Sequence, residues 1–262
     1  MGLFNKLKKY TENNTARMLI KQGQYEEALK YIDKFLEFDP NDPVSWYNKG
    51  YCFNKMGKFQ EALDSYDKVL ELNPGDINAL HNKGAILHYL GDNENAVNFL
   101  DKALKLNQKN FDIWLDKSII LGKLEKYDES FECIDKALQL DPKHFIAWNQ
   151  KGMIFSGIQK HREAIKCFDK ALELNSENTE IWYNKSTTFG IIKEYQKALE
   201  CIDIVLETDS NNVKAWNLKG VNLVALKRYD EALQCYNKAL ELNSDFEPAL
   251  KAKEEVLKLM KN

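Results

Sequence analysis

The protein has 262 residues, of which 44% are apolar and 29% are charged, and its net charge is −3 at pH 7. This composition is typical of an ordered, water-soluble protein with ample apolar material for a core. A chain so close to neutral lacks the strong basic field on which nucleic-acid binding usually depends, so a nucleic-acid partner is disfavoured. No stretch approaches the roughly 18 to 20 consecutive apolar residues that a membrane-spanning helix needs.

The N-terminal segment, residues 1–8, carries lysines but no apolar run or small-residue cleavage site, so it does not resemble a secretory signal. Lys6 occupies the position at which the myristoylation pattern requires Ser or Thr. A cytoplasmic location is therefore expected. Leu3, Phe4 and Leu7 alternate with lysines, which leaves a short membrane-surface helix open as an alternative to packing on the first repeat or to disorder.

A period of 34 residues runs from residue 9 to residue 246. All five tryptophans fall on position 4 of this frame, and position 28 is leucine in every repeat, from Leu36 to Leu240. Position 8 is Gly, Ala or Ser, and position 20 is Ala or Ser. The period predicts seven tandem repeats, which are residues 9–42, 43–76, 77–110, 111–144, 145–178, 179–212 and 213–246.

Each repeat is predicted to form a helical hairpin. Positions 4, 8 and 11 share one face of a first helix, and positions 20, 21, 24, 27 and 28 form an apolar stripe on a second. The small residues at positions 8 and 20 let the two backbones approach, and the bulky ones fill the remaining space. Gly23, Gly57 and Gly91 lie between the two predicted helices, where a turn is required.

This pattern resembles the tetratricopeptide repeat, in which Trp or another large residue stands at position 4, Gly at 8, Ala at 20 and 27, and Pro at 32. The resemblance covers residues 9–246 and implies an all-α fold, a right-handed α-solenoid (superhelix) of helix-turn-helix repeats. One departure is position 7, usually Leu in the family, which is lysine from Lys49 to Lys219. We interpret these lysines as stems that cover apolar surface while their ammonium groups reach water. The recurring Asp-Lys pair at positions 25 and 26 is interpreted as a solvated face.

Residues 247–262 continue the frame as a first helix with no second helix after it. Leu250 and Leu257 stand at positions 4 and 11, but position 8 is the charged Glu254. Terminal repeats must present a soluble outer face, so this segment is predicted to be a capping helix.

Four cysteines recur at position 23: Cys133, Cys167, Cys201 and Cys235. Equivalent helices lie at least one packing distance apart, about 8 to 10 Å, whereas a disulfide needs Cα atoms within about 7 Å. We therefore expect reduced packing thiols, with Cys52 as a separate core residue, in a reducing compartment.

No sequence feature predicts an enzyme. The chain contains no phosphate-cradling Gly-rich loop, nucleophile elbow or zinc-protease helix. His81 and His88 are separated by two helical turns, about 10 Å, which is too far for one metal ion without further ligands. The sequence thus predicts no catalytic residue, no metal and no cofactor, and the two histidines are candidates for contacting a ligand.

In the tetratricopeptide family, positions 2, 5, 6, 9, 12 and 13 of the first helices line a concave, ligand-binding groove. The resemblance implies that the ligand-binding residues here are Tyr47, Asn48, Tyr51, Lys55, His81, Asn82, His88, Asp112, Asp116, Asn149, Gln150, Tyr183, Asn184, Lys214 and Asn217. Asparagine recurs at position 6, and an amide can both donate to and accept from a peptide backbone. The alternative is that these asparagines hydrogen-bond a neighbouring repeat.

Some family members bind chaperone C-termini through a carboxylate clamp that needs Lys at position 5 and Arg at position 6. Neither residue occurs at those positions here, so a chaperone-tail ligand is not expected. Acidic and basic groove residues balance, so tyrosines and amides should decide ligand choice. The predicted function is a scaffold that binds a protein or an extended peptide in the groove. The alternative is a structural protein that self-associates into a homo-oligomer.

Overall fold

The computed structural model describes residues 14–261, and within that range every regular element is a helix and there are no strands. The predicted all-α fold class is confirmed. The described part of α1 covers residues 14–21. The later helices are α2 (Tyr25–Phe38), α3 (Pro43–Lys55), α4 (Phe59–Leu72), α5 (Ile77–Tyr89), α6 (Asn93–Leu106), α7 (Phe111–Lys123), α8 (Tyr127–Leu140), α9 (Phe145–Gly157), α10 (His161–Leu174), α11 (Thr179–Ile191), α12 (Tyr195–Thr208), α13 (Val213–Ala225), α14 (Tyr229–Leu242) and α15 (Glu247–Leu259).

Helix bounds recur on the 34-residue frame. From α3 onward, every odd-numbered helix occupies frame positions 1–13, and every even-numbered helix occupies positions 17–30. We call these the A helices and the B helices. The chain divides into two compact units, unit 1 ending at Leu124 and unit 2 beginning at Glu125. The predictions made for residues 1–8 lie outside the described residues.

Polar side chains begin most A helices. Asp42 and Asp76 each accept a hydrogen bond from the backbone N–H three residues later, at 2.8 Å from Ser45 and 2.9 Å from Ala79. These bonds satisfy one of the N–H groups left unpaired at a helix start. Asn110, Asn178 and Asn212 do the same, so frame position 34 marks where an A helix begins.

The turn from an A helix to its B helix always passes through a left-handed residue at frame position 15. In unit 1 this residue is glycine, with φ of +76°, +72° and +89° at Gly23, Gly57 and Gly91. In unit 2 it is a non-glycine residue, with φ between 58° and 65°, at Glu125, Gln159, Lys193 and Lys227. The predicted glycine turns are confirmed, and unit 2 makes the same turn without glycine.

In the hairpins with glycine at position 8, the core depends on a close approach between that glycine on the A helix and position 24 of the B helix. A Cβ atom on Gly50 would lie 2.9 Å from a ring carbon of Tyr66, and one on Gly152 would lie 2.6 Å from Phe168. Real Cβ atoms do not come this close, so glycine is required beneath these rings. Tyr66 and Phe168 are almost completely buried as a result.

The position-7 lysines are held more firmly than the sequence interpretation supposed. Lys49 forms an ion pair with Asp33 at 2.7 Å, and Lys185 forms one with Asp169 at 2.6 Å. The aspartate is position 25 of the preceding repeat, and its side chain stays about half exposed, so the position lies on a solvated surface and also pairs with a lysine. The same pairing joins Lys83 to Asp67, Lys117 to Asp101, Lys151 to Asp135 and Lys219 to Asp203.

The position-4 tryptophans fix the link between repeats. The indole N–H of Trp46 donates to the Pro40 carbonyl oxygen at 2.8 Å, and that of Trp148 donates to the Pro142 carbonyl oxygen at 2.9 Å. Trp114, Trp182 and Trp216 make the equivalent bond to the residue six positions earlier. Each indole therefore packs between helices while its polar N–H anchors the inter-repeat turn.

The last helix, α15, buries Ala249 and Val256 and exposes Leu250, Leu257 and Glu254. In complete repeats, positions 4 and 11 pack against a following B helix. No B helix follows α15 within residues 14–261, and these two leucines are 42% and 41% exposed.

Candidate partner-binding face

All fifteen ligand-binding residues predicted from the resemblance lie on A helices. Those in unit 1 are on α3, α5 and α7, and those in unit 2 are on α9, α11 and α13. We call the surfaces formed by frame positions 2, 5, 6, 9, 12 and 13 the unit 1 face and the unit 2 face.

Side chains on the unit 1 face are joined from one repeat to the next. The amide of Asn82 donates to the Tyr47 hydroxyl oxygen at 2.9 Å, and Nε2 of His81 lies 2.7 Å from Oδ2 of Asp116. Both bonds connect position 5 of one repeat with position 6 of the next. For Asn82, the alternative that a position-6 asparagine bonds a neighbouring repeat is therefore the observed one.

His88 bridges two groups at the far end of the unit 1 face. Its Nδ1 lies 2.6 Å from Oδ1 of Asn93, and its Nε2 lies 3.1 Å from the Lys123 ammonium. The amide oxygen accepts and the ammonium donates, so this arrangement places the imidazole proton on Nδ1. Next to it, Tyr89 is 72% exposed and its ring centroid lies 4.6 Å from that of Phe59.

Tyrosines on the unit 1 face are packed as well as accessible. Burial raises the pKa of Tyr47, with the Asn82 hydrogen bond opposing the shift. Tyr51 contacts the Tyr25 ring edge-on, and the Lys55 ammonium lies 5.4 Å from the Tyr51 ring centroid. Of the remaining predicted residues, Asn48 is half-buried and Asp112 is exposed.

The unit 2 face is joined by uncharged groups. Asn184 donates from its amide to Oδ1 of Asn149 at 3.2 Å, and the hydroxyl of Ser156 lies 3.1 Å from that of Thr188, a buried residue beneath the face. Asn149 and its neighbour Gln150 are only 6% and 8% exposed. Their side chains therefore contribute mainly to packing between repeats and little to the exposed surface.

A cleft of about 250 Å³ opens between α11 and α13 on the unit 2 face. It brings together Tyr183 and Lys214, both predicted as ligand-binding residues, with Glu180. Burial raises the pKa of Tyr183, which keeps its hydroxyl protonated and able to donate. Thr179 and Asn212 complete the lining. Sequence reasoning missed these two because they stand at frame positions 1 and 34, outside the groove positions of the family.

Asn217 has no side-chain bonding partner on the next A helix. It stands at position 5, and its partner position in α15 is Ala252, which has no polar side-chain atom. Oδ1 of Asn217 is buried, and no group in the described part of the chain donates to it. Comparing positions 5 and 6 of successive repeats would have indicated this gap from the sequence.

The thiols and metal-ligating residues form no reactive centre in the described structure. All five cysteines are buried, and burial raises the pKa of Cys167, Cys201 and Cys235 to about 11. No group of three or more His, Cys, Asp or Glu residues within residues 14–261 is arranged to hold a metal ion.

Among the described helices, none has both the length and the apolar character needed to cross a membrane.

The alternating helices of 13 and 14 residues define a protein built from helical-hairpin repeats. Models of the tetratricopeptide repeat match residues 11–42, 43–76, 77–110, 111–144, 145–178 and 213–246. The chain belongs to the tetratricopeptide repeat family. Proteins of this family serve generally as protein–protein interaction scaffolds and not as enzymes.

Solved structures show the same fold. A tetratricopeptide repeat protein from Parabacteroides merdae has a TM-score of 0.77 at 17% identity, over 96% of this chain and 99% of that one. A chain of the APC/C hetero-tetramer Cut9–Hcn1 has a TM-score of 0.74 at 16% identity, over 92% of this chain and 48% of that one. The chain thus spans about half the length of that relative.

A third structure, YrrB, is described as a tetratricopeptide repeat protein with an unusual peptide-binding site. It has a TM-score of 0.57 at 23% identity, over 73% of this chain and 99% of that one. Comparison of the sequence with curated proteins gave no match.

Proposed function

We propose that the protein is a scaffold that binds a peptide or an exposed segment of a partner protein on its A-helix faces. The observation that carries the proposal is the cleft of about 250 Å³ between α11 and α13. It combines an aromatic ring with a hydroxyl donor, Tyr183, and a cation and an anion, Lys214 and Glu180. Such a cleft offers rigid contact area together with the polar groups that fix a ligand's orientation.

The amides beside this cleft suit a peptide backbone. An amide has two N–H donors and a carbonyl acceptor, and the bond from Asn184 to Asn149 uses one donor. The carbonyl and the second N–H of Asn184 remain for a ligand. Lys214 and Glu180 bring one charge of each sign, so contacts with backbone and aromatic groups should supply more affinity than net charge.

YrrB supports this proposal by its described peptide-binding site, although its likeness to this chain concerns the fold. A partner that lies along successive A helices would meet the same frame positions in each repeat, and the amides and tyrosines recur at those positions. We expect the partner to bind in an extended conformation.

The test is to change the cleft and measure binding of a captured partner. The partner would be isolated from the source cell by affinity capture, purified, and titrated calorimetrically against the wild type and a Tyr183→Ala/Lys214→Glu variant. We expect Kd to rise at least about tenfold, because a central aromatic and a charge are lost together. Lys238→Glu, an exposed lysine on α14, is the matched control and should change Kd less than about twofold. An unchanged Kd in the double variant would refute the assignment of the face.

Self-association is a second candidate, which the exposed residues of α15 favour. Leu250, Leu257, Leu259 and Met260 are each more than 40% exposed, and apolar side chains grouped on one helix often mark a contact surface. Sedimentation velocity at rising protein concentration distinguishes a monomer from a homo-oligomer. A monomer at high micromolar concentration would exclude this candidate, and a dimer that Leu250→Lys/Leu257→Lys dissociates would support it.

We also propose a cytoplasmic location. Buried cysteines that form no disulfide, as at Cys52, Cys167, Cys201 and Cys235, are typical of proteins in reducing compartments. Fluorescence microscopy of the tagged protein in the source cell would test this location.

A further inference from the structure

A second cleft lies in unit 1, between α3 and α4, and has a volume of about 350 Å³. Its lining comes from frame positions 4, 7 and 11 of the A helix and positions 19, 22, 23 and 26 of the B helix. None of these belongs to the unit 1 face. The cleft is large enough for a small ligand group. Because it lies outside the A-helix faces, a peptide bound to those faces would not occupy it.

One wall of this cleft is aromatic. The ring of Trp46 is fixed because its indole N–H donates to the Pro40 carbonyl oxygen at 2.8 Å. Phe53, two turns further along α3, is half-buried and presents the rest of this wall. Ser65 forms the floor and is small enough to leave the space between the walls open.

The opposite wall is acidic. Glu61 and Asp64 stand one helical turn apart on α4 and both line the cleft. The two lysines that also line the cleft are already engaged. Lys49 forms an ion pair with Asp33 at 2.7 Å and its ammonium lies 5.1 Å from the Trp46 ring centroid, and Lys68 forms an ion pair with Glu71 at 2.6 Å. In the described part of the chain, no ion pair reaches Glu61 or Asp64. The cleft therefore combines aromatic surface with two carboxylates that lack a cationic partner.

Other hairpins of the same protein show what occupies this place. In the hairpin of α11 and α12, Lys197 stands at the frame position of Glu61, and its ammonium lies 5.6 Å from the ring centroid of Phe189. Phe189 stands at the position of Phe53. In that repeat Lys197 supplies a cation to the ring at this position. In the cleft of unit 1 the lysine is replaced by Glu61, and the cation that is present, Lys49, lies over Trp46 and not over Phe53 among the described contacts.

The hairpin of α5 and α6 gives a second example. Phe99 stands at the position of Ser65, and the ammonium groups of Lys83 and Lys102 lie 4.7 Å and 4.8 Å from its ring centroid. Here the ring fills the space that Ser65 leaves open, and the two cations stand at the frame positions of Lys49 and Lys68. The geometry of the fold at this place thus accommodates a cation against an aromatic ring.

We propose that the cleft between α3 and α4 binds an arginine side chain of a partner protein. A planar guanidinium stacks on aromatic rings, donates several hydrogen bonds in a fork, and is more weakly hydrated than an ammonium group. The ring of Phe53 provides the stacking surface, and Glu61 and Asp64 accept the charge-assisted hydrogen bonds. The partner reaches this cleft from the side opposite to the A-helix positions of the unit 1 face.

The direct test titrates the blocked tripeptide N-acetyl-Gly-Arg-Gly-amide into the full-length, ¹⁵N-labelled protein and follows the five indole N–H resonances by NMR. The Trp46 resonance is identified by its loss in Trp46→Phe. We expect a saturable shift of that resonance and no shift with the citrulline peptide, which has the same shape without the charge. A missing Trp46 shift would overturn the proposal, as would equal binding of the citrulline or lysine peptide.

Matched variants locate the site. Glu61→Gln and Asp64→Asn should each weaken arginine-peptide binding about fivefold, the effect of losing one charged hydrogen bond at a partly exposed position. Glu163→Gln changes the same frame position in α10 and should leave binding unchanged. If all three variants bound the peptide as the wild type does, the cleft would not be the site. The Tyr183→Ala/Lys214→Glu variant should retain arginine binding, so failure of this proposal and failure of the A-helix proposal are distinguishable.

Discussion

Units 1 and 2 use the same helix bounds but close their hairpins with different residues. Every left-handed turn residue in unit 1 is glycine, whereas unit 2 places Glu125, Gln159, Lys193 and Lys227 in the same backbone conformation. A left-handed conformation costs a non-glycine residue about 1–2 kcal/mol. Packing of the hairpins that lie wholly within unit 2 must offset this cost at Gln159, Lys193 and Lys227. The frame position therefore determines the backbone conformation of the turn. The residue type at that position changes only the free-energy cost of the conformation.

The unit 1 face and the unit 2 face also place different residue types at equivalent frame positions. Bonds between repeats on the unit 1 face include the ionisable groups His81, Asp116, His88 and Lys123. On the unit 2 face the corresponding bonds join amides and hydroxyls. Positions 5 and 6 meet across neighbouring repeats in both units, so the frame places side chains together whatever their chemistry. Ligand preference is then decided by the residues placed there.

The largest expected effect among these tests is the loss of the stability that buried thiols contribute at alkaline pH. Burial raises the pKa of Cys52 in unit 1 to about 11, and it does the same for Cys167, Cys201 and Cys235 in unit 2. Because the folded pKa lies above the unfolded value, the stabilisation is complete below about pH 9 and is lost as pH rises through 11. We expect each thiol to account for about 1 kcal/mol of this loss once solvent screening is allowed for.

The measurement is urea unfolding, followed by circular dichroism at pH 8 and pH 10.5. The triple variant Cys167→Ala/Cys201→Ala/Cys235→Ala should lose about three times as much of the pH dependence as Cys52→Ala. Equal effects of the two variants would show that the thiols of unit 2 are not buried as described.

Much of this architecture could be predicted from the sequence, because small and large apolar residues recur at fixed frame positions. The ion pair between Lys49 and Asp33 could not be predicted. The repeat shows that positions 7 and 25 are charged, but it does not show the distance between these side chains. The turn at Lys227 was likewise hidden, because no glycine marks it.

Prediction of the candidate face was limited because frame positions do not show which side chains are buried by neighbouring helices. The frame assigned Asn149 and Gln150 to a ligand surface, but burial depends on the side chains of the neighbouring helices. The cleft between α11 and α13 includes Thr179 and Asn212 because the end of one A helix lies beside the start of the next. Such proximity requires coordinates.

Replacing a turn glycine in unit 1 should have the next largest effect. Gly57 has a φ of +72° and no atom within 4 Å of where a Cβ would lie, so Gly57→Ala adds conformational strain without a clash. We expect the free energy of unfolding to fall by about 1–2 kcal/mol. Chemical denaturation measures this change. Lys227→Ala, which exchanges one non-glycine residue for another at the same frame position, is the control and should change stability by less than about 0.5 kcal/mol. Equal losses in both variants would mean that the turns of the two units are not equivalent.

The converse change in unit 2 should be smaller and of opposite sign. Lys227→Gly relieves a left-handed lysine, but glycine loses more chain entropy on folding. The net effect should be a gain of up to about 1 kcal/mol in the free energy of unfolding. A rise in thermal midpoint, measured by calorimetry, would accompany it. A loss of stability would show that the Lys227 side chain contributes contacts that outweigh its backbone strain.

The central claim is that a partner binds along the A helices, and hydroxyl-radical footprinting of the protein with its captured partner tests it most directly. Tyr183 on α11 and Met153 on α9 report on the unit 2 face, whereas Leu174, exposed at the end of the B helix α10, serves as a reference. The account predicts that oxidation of Tyr183 and Met153 falls in the complex while oxidation of Leu174 is unchanged. Protection confined to Leu174 and other B-helix residues, with Tyr183 and Met153 oxidised as in the free protein, would contradict it.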